Sequence, residues 1–456
     1  MKHLISGREF YRTMFKLALP ITVQNLVATS LNMVDTIMIG QLGQSELAAV
    51  GLANQLFFLL VLSLFGTYSG ASIFVSQFWG KRDINSIHRV LGIAVVTGSA
   101  AALVFTVGAY FFPSLILQLF ISNNAVIALG ADYLRIVAFS YLVTSITFAY
   151  SFLSRSVEQA KLPMFVSAFS LCCNTLLNYL LIFGNYGFPQ LGVKGAAYAT
   201  VFSRSVEVML LLFIIYRYNY VLAGKLKNMA NITWPFVKRF FRTGYTVILN
   251  EFSWALGTMM CTAAYARMGE ETFAAVQMAL PIQNISFVLF IGIANACGVM
   301  LGNQIGACEE DKAFFCAKKF AVLGPALALL IGSGIFFSSD WLVSGYNVDA
   351  SIKILASQIL VVYALFLSAR VFNLINIIGI LRSGGDTIFT FFLDSGGIWL
   401  IAVPLAFLAG LVWRLPIYHV MALVSLEEIF KMTLGLRRLY SKKWVRNVAA
   451  QMDFSL

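Results

Sequence analysis

Charge is scarce in this chain. Asp, Glu, Lys and Arg make up 11% of its 456 residues, against 59% hydrophobic residues and a mean hydropathy of +0.82. Soluble domains carry about 25% charged residues, and so few polar groups exclude a soluble globule: the solvent of this protein is lipid. Histidine is almost missing, with only His3, His88 and His419, and the six cysteines (Cys172, Cys173, Cys261, Cys297, Cys308, Cys316) show no CxxC spacing. Neither a transition-metal centre nor a disulfide framework is expected from that inventory. A nucleophile triad, an HExxH pair and a phosphate-binding glycine loop are also lacking, so the chain does not read as an enzyme or as driven by ATP. Gly384-Gly385-Asp386 reads as a turn, and no cofactor is expected.

What is abundant is the apolar segment of about twenty residues, the length that crosses a bilayer. The first, from Leu17 to Leu31, continues towards Gly40 without a small-residue cleavage site and is expected to be retained. Hydropathy and charged loops predict twelve helices near 14–39, 47–78, 90–112, 126–152, 164–184, 195–216, 244–266, 273–304, 320–338, 354–381, 388–410 and 416–436. The net charge of +12 falls between helices rather than on one face, so it reports topology rather than nucleic-acid binding. With the amino terminus inside, about 25 of the 32 basic residues, Arg155 and Arg382 among them, fall in cytoplasmic segments. The expectation is a multi-pass protein of the bacterial inner membrane with both termini cytoplasmic, in contact with membrane lipid.

The chain repeats itself. Leu42-Gly43 with Leu47-Ala48-Ala49-Val50 is echoed by Met268-Gly269 with Phe273-Ala274-Ala275-Val276, an offset of 226 from Leu42 to Met268. The same offset carries Val75-Ser76-Gln77 and Gly80 onto Leu301-Gly302-Asn303 and Gly306, and an offset of 227 carries Arg155-Ser156 onto Arg382-Ser383. Six helices is an even number, so both copies enter from one side and the repeat is parallel, about an axis along the membrane normal. The fold class is therefore all-α integral membrane: two six-helix lobes, 14–216 and 244–436, related by a pseudo-twofold, with a central cleft, a cytoplasmic linker 217–243 and a basic tail 437–456.

A carboxylate at the bilayer centre costs roughly 2.5–3.5 kcal/mol on insertion scales and so demands a purpose. Asp35, in the outer half of the first helix, and Glu251, in the inner half of the seventh, stand out. The offset of 226 sets Asn25 against Glu251 and Cys261 against Asp35, so neither acid is duplicated. A proton and a cation compete for such a carboxyl, which is the physics of an antiporter. Asn174 and Asn178 are four residues apart and share a helix face, where their oxygens, with the Thr200 hydroxyl, suit a Na⁺ site or a proton network around Asp35. Two Asn on one face serve equally well to join helices. Trp254, three residues from Glu251, offers an indole face to a cation or packs between helices; with Asn25 and Gln283 it completes the expected substrate cavity. Arg204 and Glu207 have the spacing to neutralise each other, while Arg370 and Asp394 have no evident partner. Pro20 and Pro404 are expected to bend their helices.

Ala18-Leu19-Pro20-Ile21, Val34-Asp35-Thr36 with Ile39-Gly40, Leu47-Ala48-Ala49-Val50-Gly51, Gly195-Ala196-Ala197 with Ala199-Thr200, and Gly379-Ile380-Leu381-Arg382 with Gly384-Gly385-Asp386-Thr387 together resemble the multidrug and toxic compound extrusion (MATE) family, from about Phe15 to Trp444. The resemblance implies a monomeric antiporter that exports small amphipathic cations, drugs and dyes, in exchange for Na⁺ or H⁺. It places Asp35, Asn174, Asn178 and Thr200 at an amino-terminal ion site, and Glu251 at the acid of the seventh helix. Two departures stand out: one branch of the family has an acid where Asn178 lies, and the NorM-like branch has an aspartate near Val371 to Asn373, which puts a paired-acid site in the carboxy-terminal half in doubt. The competing expectation is a flippase for a lipid-linked or other amphipathic metabolite, which needs a basic cavity.

Overall fold

The structure, a computed structural model, describes residues 7–346 and 348–450. The first six residues of the expected cytoplasmic amino terminus and the last six of the expected tail lie outside them. Twelve long helices follow one another, with no strand among the described residues: α1 (Gly7–Gly40), α2 (Gln44–Lys81), α3 (Ile84–Phe111), α4 (Asn124–Ser156), α5 (Lys161–Phe183), α6 (Val193–Arg217), α7 (Trp234–Ala266), α8 (Glu270–Gly306), α9 (Glu310–Ser344), α10 (Ala350–Leu381), α11 (Thr387–Val412) and α12, in two parts (Ile417–Val424 and Leu426–Tyr440). All twelve expected helices are present.

Ten of these are long and apolar enough to cross a membrane by length and composition. The other two are α7, with Lys238, Arg239, Arg242 and Glu251, and α12, with Glu427, Glu428, Lys431, Arg437 and Arg438. Helix α7 falls short because polar and charged residues interrupt its apolar run, and α12 because its two parts, of 8 and 15 residues, are each shorter than a span. Helix α7 begins ten residues earlier than its hydropathy predicts, at Trp234-Pro235, because proline lacks the N–H that a first turn leaves unused anyway. Pro20 sits inside an unbroken α1. In α11 the turns around Pro404 are wider: Val403–Phe407 lies between π-helical segments Ile398–Ala402 and Leu408–Val412, as a helix responds when a ring replaces an N–H.

The chain forms two compact units. The amino-terminal unit holds Val23–Val75 and Asp83–Gly244; the carboxy-terminal unit holds the chain from Tyr245 onward together with Ser76–Arg82 and the part of α1 up to Thr22. Small residues and directional bonds hold each one together. In the first, the buried Tyr68 hydroxyl donates to the Ser145 carbonyl at 2.8 Å, and Gly195 at the start of α6 lies against the Leu181 and Ile182 backbone of α5. In the second, Gln77 at the end of α2 donates through Nε2 to the Ser383 carbonyl at 2.8 Å and the Arg446 carbonyl at 3.1 Å. Its Oε1 accepts from the Ala449 N–H at 3.2 Å. Asp386 holds Arg438 at 2.7 Å and Arg446 at 3.0 Å, and Trp444 is fully buried over Gly384. The segment that follows α12 is thus folded back onto the body of its unit.

A methyl at Gly195 has nowhere to go except into the Leu181–Ile182 backbone. Gly195→Ala is expected to lower stability by about 1–3 kcal/mol through forced separation of α5 and α6, while Gly334→Ala, in open space, does not. Thermal unfolding of the purified protein reads the difference; equal melting temperatures would count against the close approach.

Candidate functional site

In the amino-terminal unit, Asp35 is half-buried in the carboxy-terminal half of α1. Asn178 donates through Nδ2 to Asp35 Oδ1 at 2.6 Å and to Asn174 Oδ1 at 3.0 Å, and Asn174 Nδ2 donates to Ser203 Oγ at 3.1 Å. The four-residue spacing on α5 is what stacks the two amides. Thr200 donates to the Ala196 carbonyl at 3.0 Å and is hydrogen-bonded to Tyr133, which with Arg204 is an electrostatic neighbour of Asp35. Three of the four predicted ion-site residues therefore share one chain of hydrogen bonds, and the fourth joins it through Ser203, which donates to the Thr200 carbonyl at 3.1 Å. Sequence reasoning missed Tyr133 and Ser203, which carry no signature in an apolar helix.

The orientation of Asn178 has chemical content. Its amide presents a donor to Asp35, as an ionised carboxylate requires, and its own Oδ1 is a buried acceptor with no hydrogen bond. Turned over, the same amide offers its oxygen to a protonated Asp35, or shares a cation with it. The oxygens of Asp35, Asn174, Asn178 and Thr200 suit Na⁺ only after that turn.

A second polar layer runs beneath it. Arg155, in the last turn of α4, donates to Gln24 Oε1 at 2.6 Å; Gln24 Nε2 donates to Ser167 Oγ at 3.1 Å; Ser167 donates to Glu207 Oε1 at 2.8 Å; and Arg204 pairs with Glu207 at 3.1 Å. The expected Arg204–Glu207 pair is thus present. Arg155 is 8% exposed, which corrects its place in the count of cytoplasmic loop charges: with its unit's polar side chains within reach, it turns inward.

The carboxy-terminal unit repeats this layer. Arg382 Nη2 meets Glu251 Oε1 at 2.6 Å, and both side chains are buried; Arg382 likewise leaves the set of loop charges. Asn250 Nδ2 donates to Asp394 Oδ2 at 3.0 Å, and Lys431 reaches Asp394 Oδ1 at 3.3 Å. Arg370 pairs with Glu428 at 3.4 Å, so both residues that lacked a partner in the sequence have one. The register of the repeat holds to the residue: an offset of 226 relates Gln24 to Asn250, and one of 227 relates Arg155 to Arg382, Ser167 to Asp394 and Arg204 to Lys431. Of the expected cavity residues, Trp254 is 42% exposed while Glu251 turns to Arg382, so the indole and the acid do not face one partner together. Gln283 is buried, its backbone carbonyl accepting from Tyr363 and Ser286. Asn25 is half-buried, with its carbonyl taken by Thr29.

A family model described as MatE matches residues 20–180 and 246–408, one segment in each half. The chain is 25% identical over 447 residues to a probable multidrug resistance protein NorM of Thermotoga maritima, covering 96% of this chain and 93% of that protein. It is 26% identical to the uncharacterized transporter YisQ of Bacillus subtilis, over 95% of each. Among solved structures, a mutant of the Vibrio cholerae MATE transporter VcmN superposes with a TM-score of 0.88 at 17% identity, covering 97% of this chain and 99% of that one. That last likeness is one of fold.

Removing one partner of a buried ion pair leaves an uncompensated charge. Arg382→Gln is expected to cost about 3–5 kcal/mol, and Glu251→Gln added to it to restore most of the loss. Melting temperatures of the two single variants and the double variant test this; a double variant no more stable than Arg382→Gln would mean that the pair is not an energetic unit.

Proposed function

This chain belongs to the MatE family, the multidrug and toxic compound extrusion transporters, and from that premise we propose that it is a secondary antiporter. It exports small amphipathic organic cations in exchange for Na⁺ or H⁺ by alternating access. It works as a monomer in the bacterial inner membrane, with both termini cytoplasmic. The observation that carries this reading is the Asp35–Asn178 pair: a half-buried carboxylate held by a fully buried amide that can present either of its ends.

The cycle follows from competition at one carboxyl. Ionised, Asp35 is held by the Asn178 donor and by the field of Arg204. A proton or Na⁺ arriving from outside neutralises it and favours the turned amide, with Asn174 and Thr200 lending oxygens. A cationic drug favours the ionised form, and drug and coupling ion exclude each other through that difference. The exposed indole of Trp254 is the proposed drug-facing surface of the carboxy-terminal unit, where a flat cation stacks. The alternative of a flippase is less well supported. Arg204, Arg370, Arg382 and Lys431 each meet a carboxylate, so these four bases are not free to line a pyrophosphate site.

Ethidium efflux from drug-sensitive cells, with Na⁺ and H⁺ gradients imposed separately, tests the reading. The parent chain lowers ethidium accumulation under one of the gradients. Asp35→Asn slows gradient-dependent efflux by about tenfold or more, the scale of one lost charge-assisted contact, while ethidium binding persists. Gradient-dependent efflux that survives in Asp35→Asn removes Asp35 as the coupling site; no efflux by the parent chain reopens the flippase.

A further inference from the structure

A dense cluster of charge in the carboxy-terminal unit lies among residues to which the sequence pattern assigns no role. Past its break at Ser425, α12 carries Glu427, Glu428 and Lys431 within five residues. Lys431 Nζ is 2.7 Å from Glu427 Oε1, 3.3 Å from Asp394 Oδ1 and 3.6 Å from Glu428 Oε2. Glu428 also accepts from Asn373 Nδ2 at 2.8 Å and pairs with Arg370, and Asp394 also accepts from Asn250. Glu427 has Lys431 alone. Its Oε1, on a side chain 8% exposed, has that ammonium as its one close charged partner. The α7 residues Cys261 and Tyr265 are its electrostatic neighbours.

Three carboxylates face two cations here, and the nearby Glu251–Arg382 pair cancels itself. One negative charge is left over in a setting that tolerates none unpaired. A metal ion has no seat, because the Lys431 ammonium already occupies the point where the three carboxylates converge. Nor is there room beside it: a Cβ on Gly397 of α11 would lie 3.1 Å from Glu427 Cγ and Oε1 and from Lys431 Cδ. The ligand that fits is a proton, and Glu427 has the fewest competing partners.

The repeat gives the position its meaning. An offset of 227 carries Thr200 onto Glu427, and one of 226 carries Asp35 onto Cys261. In the amino-terminal half, the first helix supplies the acid and the sixth the hydroxyl. In the carboxy-terminal half, the first helix of the repeat supplies a thiol and the sixth the acid. We propose that Glu427 is a second proton-carrying carboxyl, at the place equivalent to the Asp35 site but contributed by the other helix of the pair. Binding takes one proton from solvent onto Glu427 and brings the cluster from one negative charge to neutrality. Any part it takes in antiport rests on the function proposed above; proton binding itself does not.

Infrared difference spectroscopy of the purified full-length protein between acidic and alkaline pH, without substrate, reads protonated carboxyls directly through a C=O band that shifts in D₂O. Glu427→Gln is expected to remove one carboxyl component from that band, while Glu428→Gln keeps it. Gly397→Ala, which leaves every charge in place, is expected to shift the frequency of the same component, and this holds the proposal to account where Glu427→Gln does not fold. A band unchanged in folded Glu427→Gln, a component lost in Glu428→Gln instead, or no shift in Gly397→Ala would overturn it. The failure of the parent chain to export ethidium while the Glu427 component stands would overturn the antiporter and leave this site.

Discussion

A polar side chain inside lipid must find its partner within the protein, and this constraint organises both units. Each satisfies it in the same way. An arginine from the carboxy-terminal end of the fourth helix of the repeat, Arg155 or Arg382, turns inward to the first helix. The amide at Gln24 or Asn250 then reaches the fifth helix, and a base at Arg204 or Lys431 closes the layer from the sixth. Lipid tails are as apolar as leucine, so burial gives helices little reason to choose one neighbour over another. Directional bonds of this kind, with the glycine contacts that let backbones approach, do the choosing. The polar layer is therefore scaffold first, and the sites are built on it.

The charge balance of the two units separates their roles. In the amino-terminal unit Arg155 and Arg204 oppose Glu207 and Asp35, so the network is neutral with Asp35 ionised. A single cation added there would leave that network with one positive charge in excess. In the carboxy-terminal unit Glu251, Asp394, Glu427 and Glu428 oppose Arg370, Arg382 and Lys431. That network is neutral only with a proton aboard. On the reading proposed above, the same repeat yields one cluster that is neutral before an ion arrives and one that is neutral after, from a difference of a single charge.

Much of this was legible in the sequence. The twelve helices and the duplication were, because hydrophobic length and small-residue motifs are local signals; so was the Asn174–Asn178 face, because helical spacing fixes it. Arg155 and Arg382 were misread as loop charges, since a residue one turn past an apolar run looks cytoplasmic whether it faces water or folds back. Their shared offset was the available clue: a loop charge that only sets topology has no need to keep register with its copy. Glu427 and Glu428 were missed for another reason. Comparing the halves position by position finds Cys261 where Asp35 stands and concludes that the acid is gone. A carboxylate moved to an adjacent helix, as at Glu427, is invisible to that comparison. Only packing, which sets α7 and α12 side by side around Cys261 and Glu427, reveals it.

The same physics explains why α7 and α12 were the faintest helices in the hydropathy pattern. Hydropathy charges every ionised residue its full cost of entering lipid, as if each entered alone. Glu251 enters with Arg382, and Glu428 with Arg370 and Lys431, and a paired charge with its hydrogen bonds made costs far less than the sum of two. Additive scales therefore penalise most heavily the segments in which function has assembled most charge. A charged helix that keeps its register with a clearly apolar copy, as Leu426–Tyr440 does with α6, is a stronger pointer to chemistry than any acid in it taken alone.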